Sequence, residues 1–406
     1  MAERDSRRGF LQKSLIASVG LTSLGAGSPG ITAQEHNAAR TTAESPILPL
    51  SEPAPNSEWR NKQAGMAYRR LGRTGLMISE IVCGGDPIGT DNYKHLDLAL
   101  EMGLNYLDMA PAYGNGDCEI AYGKFLGGPA KRNKVFLQTK VSAFGRLRNQ
   151  LYREIFNSLP SEKQQSIMAR VEEIRRTNLA EKPGYYLTYF PGQHNQFEGA
   201  YLSSAMMPDY AHLVEGSQQF RKCITDSLEA SLRRVGTDHF DLLMCPHGAN
   251  TPDELDNPHI YETFLELKTQ GKVRFLGVTS HNDAAGVLRK ATELGHYDAV
   301  QMAYNVINGG YVDQAILDAA AKNVGMIAMK TAHAVATHHK ELQPIPQWRI
   351  DKVNKIIPGD MKPPLKGYLW VLQNPWISAV NSNLWDETFV RENLGLAGKK
   401  VQLQQV

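Results

Sequence analysis

A chain of 406 residues, 42% hydrophobic and 21% charged, has enough apolar material for a large core and is long for one compact domain. Its formal net charge of +2 gives no electrostatic footing for nucleic acid, so no such partner is expected. Cys83, Cys118, Cys223 and Cys245 show no CxxC or zinc-ligand spacing, which excludes a disulfide scaffold and leaves no metal site to expect. A single disulfide stays open in an oxidising compartment, and Cys83 and Cys245, near strand ends, read best as small buried residues.

Ser6-Arg7-Arg8-Gly9-Phe10-Leu11, followed by Lys13, resembles a twin-arginine export signal. A modestly apolar run from Leu15 to Ala26 and small residues around Ala33 follow in the order such signals require. The run is too short and too Gly/Ser-rich to anchor in a bilayer. Residues 1–33 are therefore expected to be a signal peptide read by the twin-arginine machinery. The mature protein would be periplasmic or secreted, with no membrane segment. That route carries folded proteins, so a cofactor could be loaded before export. Residues 34–65, rich in Pro, Ser, Thr and Ala, read as a linker.

Residues 66–406 read as the folded domain, opening with a hairpin at Tyr68–Gly75. Short apolar runs then alternate with helical patterns. The expected strands are Ile78–Cys83, Asn105–Asp108, Val135–Lys140, Asp241–Cys245, Arg274–Thr279, Ala299–Met302, Gly325–Met329 and Ile377–Val380. The expected helices between them include Tyr93–Met102, Gln219–Val235, Pro258–Gln270, Asn282–Leu294 and Gln314–Lys322. This alternation predicts an α/β fold, a closed parallel (β/α)₈ barrel of the TIM type. The alternative, an open doubly wound sheet, lacks a G-x-G-x-x-G after its first strand.

In such barrels active sites lie at the carboxyl ends of the strands. Asp108 ends the second strand, Tyr113 follows it in a Pro/Gly-rich turn, Lys140 ends the third, and His247 follows the fourth. Each has a bland alternative: Asp108 as a turn cap, Tyr113 as a packing aromatic. Together they form a set capable of proton chemistry. A tyrosine with a pKa of about 10 is a poor acid near neutrality unless an ammonium favours its phenolate. The set suits polarising a carbonyl while a hydride arrives, and because it supplies no hydride it requires a nicotinamide nearby.

From Tyr68 to Asn393 the chain resembles the aldo-keto reductases. The stretches that carry the likeness are YRRLGRTGLMISEIVCGG, NYLDMAPAYGNGDCEIAYGKFL, VFLQTK, SLEASLRRVGTDHFDLL, GVTSHN and QMAYNVIN. The resemblance implies an oxidoreductase interconverting carbonyl and alcohol groups on a small molecule, expected here to be carbohydrate-like. It makes Tyr113 the general acid/base, Lys140 the group that lowers its pKa, Asp108 the group that orients Lys140, and His247 the group that positions the substrate oxygen. It also implies NADP or NAD, NADP being the family's choice, extended across the barrel mouth. The cofactor residues carried over are Gly85, Thr279, Ser280, Gln301, Met329 and Lys330, with Ser382, Asn383, Glu392 and Asn393 at the adenine side.

The chain departs from the family pattern in four places. Pro246 delays His247 by one residue, which in a regular strand would send it to the opposite face. Met329-Lys330-Thr331 stands where an aromatic usually stacks on the nicotinamide, and no Arg or Lys lies in Asn381–Trp385 to reward a 2′-phosphate. The fourth departure is an insertion at about 143–218. Its first half is expected to be helical from Asn149 to Thr177, and its second half, Pro183 to Tyr210, is crowded with aromatics. Those rings either form a substrate lid or glue the insertion to the barrel. His333, His338 and His339 read as a solvated loop. A competing reading keeps the barrel as a non-catalytic binding or scaffold protein.

Overall fold

The computed structural model describes residues 48–336 and 344–405. The expected signal, residues 34–47 of the expected linker, and His338 and His339 lie outside these residues. Three short strands, β1 (Glu58–Trp59), β2 (Tyr68–Arg70) and β3 (Leu76–Ser79), form a small sheet in the order β1-β3-β2. β2 and β3 are the expected hairpin. Its turn needs glycine at Gly72, where φ is +48° and a Cβ would collide with the backbone of Gly325. The end of the expected linker is structured, since Glu58–Trp59 pairs in parallel with Leu76–Met77.

Eight parallel strands then close the barrel: β4 (Ile81–Gly84), β5 (Tyr106–Asp108), β6 (Phe136–Lys140), β7 (Phe240–Met244), β8 (Val273–Ser280), β9 (Ala299–Ala303), β10 (Gly325–Met329) and β11 (Ala379–Asn383). The expected first strand, Ile78–Cys83, is in fact two. β3 belongs to the small sheet, and the chain breaks at Glu80, whose carboxylate is held by Arg69 at 2.6 Å, before β4 enters the barrel.

The side-chain period of two divides each strand between two cores. Val82, Tyr106, Phe136, Leu242, Ala299, Ile327 and Ala379 fill the barrel interior, closed from below by Leu71, Leu76 and Ile78 of the hairpin. The alternate residues, among them Cys83, Leu107, Leu137, Leu243, Val300 and Val380, face the surrounding helices. Those helices run close to their expected spans, as in Gln218–Val235, Pro258–Thr269 and Ala284–Leu294. Their ends are set by local chemistry: Ser217 accepts from Gln219 N, Asp283 accepts from Gly286 N, and Gly236 and Gly295 close their helices with φ values of +71° and +74°. No helix among the described residues is long and apolar enough to cross a membrane.

Between β6 and the helix Gln218–Val235 that precedes β7 lie three further long helices, Phe144–Ser158, Ser161–Thr177 and Gln193–Val214. Of the aromatics expected either as lid or as glue, Tyr185, Tyr189, Phe197 and Tyr201 are buried, while Tyr186, Phe190 and Tyr210 are partly buried against the same core. Tyr185 Oη donates to Asp283 at 2.5 Å and accepts from Ala285 N at 2.7 Å, and Asn305 Nδ2 donates to Tyr189 Oη at 3.0 Å. The segment that leaves the barrel after β6 is thus tied to the loops after β8 and β9 and roofs the mouth.

Candidate active site

The interior of the barrel changes from apolar to polar one layer below the mouth. Asp108, at the end of β5, receives donors from three other strands: Gln138 Nε2 at 2.5 Å, Gln301 Nε2 at 3.1 Å and Asn381 Nδ2 at 2.7 Å. Lys140 Nζ also donates to Asp108, to Met109 O at 2.9 Å and to Tyr113 Oη at 3.1 Å. Asp108 and Lys140 are both 1% exposed. A buried charge pair survives only if its remaining polar valences are satisfied, and the two glutamines and the asparagine satisfy them. Three of the expected catalytic residues therefore meet, although Asp108 and Lys140 belong to different strands.

His247 joins them. β7 ends at Met244, and the chain turns through a cis Cys245–Pro246 peptide. The His247 ring then stands edge-on to Tyr113 with centroids 5.8 Å apart, and Ser142 Oγ lies 2.8 Å from its Nδ1. The one-residue delay is absorbed by this turn, outside the regular strand.

Burial pushes the Tyr113 phenol well above the usual tyrosine range, and the charges of Asp108 and Asp86 push the same way. Lys140, 3.1 Å from the hydroxyl, is itself paired with Asp108. Tyr113 is therefore protonated at rest. Burial, with Lys140 and Lys330 adding like charge, holds His247 well below the usual histidine range, so its imidazole is neutral.

Above this cluster opens a cavity of about 1400 Å³. Of the expected cofactor residues, Gly85, Met329, Lys330, Asn383, Glu392 and Asn393 line it. Thr279, Ser280, Gln301 and Ser382 do not. Thr279 Oγ1 accepts from Gly248 N, Ser280 Oγ donates to Ala249 O, and Gln301 is bonded to Asp108 and Gln138 beneath the mouth. Ser382 faces outward with Val380 and bonds Tyr368 and Asn393. The inward position is Asn381, which sequence reasoning passed over. Its Nδ2 goes to Asp108, while its buried Oδ1 has no partner. Counting by twos from Ala379 would have found it. Gly84 makes room for it, since a Cβ there would approach Asn381 Oδ1 to 2.6 Å.

Lys330, with a left-handed φ of +57°, lies over the rings of Tyr189 and Phe190, and His333, expected in a solvated loop, instead lines the cavity and stacks on Tyr189. The cysteines are free, Cys83 accepting from Tyr122 Oη at 3.2 Å.

One further buried carboxyl caps the loop after β7. Glu254 Oε1 accepts from the N–H groups of Asn250 and Thr251, fixing the Asn250 loop that lines the mouth, while Oε2 has no partner. Burial pushes its carboxyl up to about 7 from 4.5. A folded-state value above the unfolded one means the folded chain holds the extra proton, so stability falls as pH rises through this window. Unfolding free energy should drop by ~3 kcal/mol between about pH 4.5 and 7 on this group's account. Denaturant titrations at several pH values should show that drop reduced in Glu254→Gln. An identical pH dependence in the variant would assign the effect elsewhere.

The chain spans about half the length of the curated relatives it matches. It is 26% identical over 239 residues to the aldo-keto reductase AMT2 of Alternaria alternata, covering 56% of this chain and 53% of that protein. It is 25% identical over 218 residues to the uncharacterized oxidoreductase YqkF of Bacillus subtilis, covering 53% and 49%. Among solved structures, the holo form of aldo-keto reductase AKR11C1 from Bacillus halodurans superposes with a TM-score of 0.55 at 20% identity, over 84% of this chain and 93% of that one, a likeness of fold. The model of the Aldo/keto reductase family matches residues 89–215 and 206–382. With most of its length under that model and a closed eight-stranded barrel beneath it, the chain belongs to the aldo/keto reductase family.

Proposed function

We propose that the protein interconverts a carbonyl and an alcohol on a small, carbohydrate-like molecule using a nicotinamide cofactor, with Tyr113 as general acid/base. The observation that supports this most directly is the Lys140 ammonium, buried on Asp108 and 3.1 Å from the Tyr113 hydroxyl at the floor of the cavity. The cavity fits the cofactor chemically. Its volume exceeds what a dinucleotide alone needs. The unpartnered Asn381 Oδ1 is an acceptor suited to a carboxamide N–H, and Trp385, Phe389 and Asn393 offer two flat faces and an amide toward the other end. NADP is preferred over NAD on family grounds alone. A bound reduced nicotinamide supplies the hydride.

The protein's own residues handle the proton. In the reducing direction Tyr113, kept protonated by burial, gives its proton to the carbonyl oxygen. The phenolate left behind sits beside the Lys140 ammonium, which lowers the cost of forming it. Asp108 and its three amide donors keep that ammonium aimed. Neutral His247, fixed by Ser142, offers the substrate oxygen a hydrogen bond without competing for the proton.

For an exported protein we further propose that the cofactor is loaded before export and stays bound, reduced by one substrate alcohol and reoxidised by a second substrate's carbonyl. The test is titration of the purified chain, first freed of any retained nucleotide, with NADPH and NADH, followed by tryptophan fluorescence, then turnover of an uncharged aldehyde across pH. Quenching by one dinucleotide and a reduction rate without a break near the ordinary histidine pKa of about 6.5 are expected. No quenching by either would end the enzyme reading, and a break there would end the neutral role of His247. Retention is read by denaturing protein from its native compartment, where absence of released nicotinamide would refute it.

A further inference from the structure

The helix Phe144–Ser158 has two faces of opposite purpose. Phe144, Arg148 and Tyr152 are buried, whereas Arg146, Asn149, Gln150 and Arg153 line the cavity. Spacings of three, four and seven residues put the latter four on one stripe. The helix Gln193–Val214 faces them with Asn195, Gln196 and Gly199. This wall, contributed wholly by the roof, is polar and contains no carboxylate among the described lining residues.

The arginines of the neighbouring helix show what the same segment does with cations that need partners. Arg170 pairs with Asp209 at 2.6 Å, Arg175 with Glu198 at 3.6 Å and Arg176 with Glu173 at 2.7 Å. Among the described residues Arg146 and Arg153 have no ion pair and no side-chain hydrogen bond, and Arg153 only lies over Phe156. Of the carboxylates elsewhere in the cavity, Asp108 is committed to Lys140 and Glu392 to Lys362 at 2.5 Å. Two guanidiniums two helical turns apart, ~10 Å along the axis, with amides between them, form a recognition surface for an extended anion bearing hydroxyl groups.

We infer that Arg146 and Arg153 bind the acidic group of an anionic sugar, a sugar phosphate or a sugar acid, whose carbonyl end reaches Tyr113. The inference rests on the function proposed above and narrows its substrate class. Binding separates the two. Calorimetric titration of the full chain with glucose, glucose 6-phosphate and glucuronate should show at least one of the anions bound about tenfold or more tightly than glucose. The tighter of the two tells phosphate from carboxylate. In Arg146→Gln/Arg153→Gln the preference should vanish while the melting temperature and the NADPH affinity hold. Three results overturn the assignment: anions bound no better than glucose or not at all, a preference that survives the double substitution, or a fall in NADPH affinity that would give the arginines to the nucleotide. Failure of the enzyme reading shows separately, as absence of dinucleotide quenching and of uncharged-aldehyde turnover.

Discussion

Tyr113→Phe should lower kcat/KM for aldehyde reduction by ~10²–10⁴-fold and leave the melting temperature close to that of the unaltered protein. The phenol ring is partly exposed at the mouth, and its hydroxyl is bonded to Lys140 alone among the described residues, so the ring can stay while the proton donor goes. Lys140→Met should abolish activity to a similar degree and also destabilise the fold by ~3–5 kcal/mol, because it strands the Asp108 carboxylate in the barrel interior with amide donors and no cation. The contrast is the informative part. Steady-state kinetics with denaturant unfolding on both variants reads it directly. Equal stability losses would mean that the pair is not held as a buried charge, and full activity in Tyr113→Phe would remove the tyrosine from the chemistry.

The second large effect is expected far from the reacting atoms. Arg148 is fully buried in the roof, its Nε on Glu215 at 3.0 Å, its Nη2 on Asp253 at 2.8 Å and its guanidinium over the Tyr152 ring at 5.2 Å. Glu215 also accepts from Tyr152 Oη at 2.8 Å and from Asn257 Nδ2 at 2.6 Å. This one cation joins the roof helices to the loop after β7. Arg148→Met should cost ~3–5 kcal/mol by leaving two carboxylates without their cation. The Asn250 loop should loosen in consequence, raising KM more than it lowers kcat. Unchanged unfolding free energy would show that the buried aromatics alone anchor the roof. The contrast with Arg146, two residues earlier on the same helix and facing the cavity, gives an internal control: Arg146→Gln should leave stability within ~0.5 kcal/mol.

The site was legible in the sequence to the extent that it depends on strand ends. A run such as VFLQTK declares a strand by its apolar, β-favouring residues, and a parallel barrel sends every strand's carboxyl end to one face. Asp108, Tyr113 and Lys140 were therefore bound to converge once the alternation of strands and helices was recognised. Position within the period of two was also available: it separates Asn381, which faces the mouth, from Ser382, which faces a helix.

Other features required the tertiary structure, for a common reason. They depend on contacts between residues far apart in the chain, which no local pattern encodes. Gln138 and Gln301, 163 residues apart, close the cradle under Asp108. The environment of Tyr113, with burial and the Asp108 and Asp86 carboxylates from separate segments, pushes its phenol up although a lysine stands beside it. His247 reaches the mouth because the chain leaves β7 through a turn that strand geometry alone would not supply. The roof illustrates the division most plainly. Helical periodicity and aromatic content could be read from the letters, but not which face of Phe144–Ser158 meets the protein. Sequence alone determined the barrel and the convergence of Asp108, Tyr113 and Lys140 through periodicity and strand polarity. Only packing decided that Arg148 is an anchor and Arg146 a free cation over the cavity, because a side chain's partner is set by what the rest of the chain brings to it.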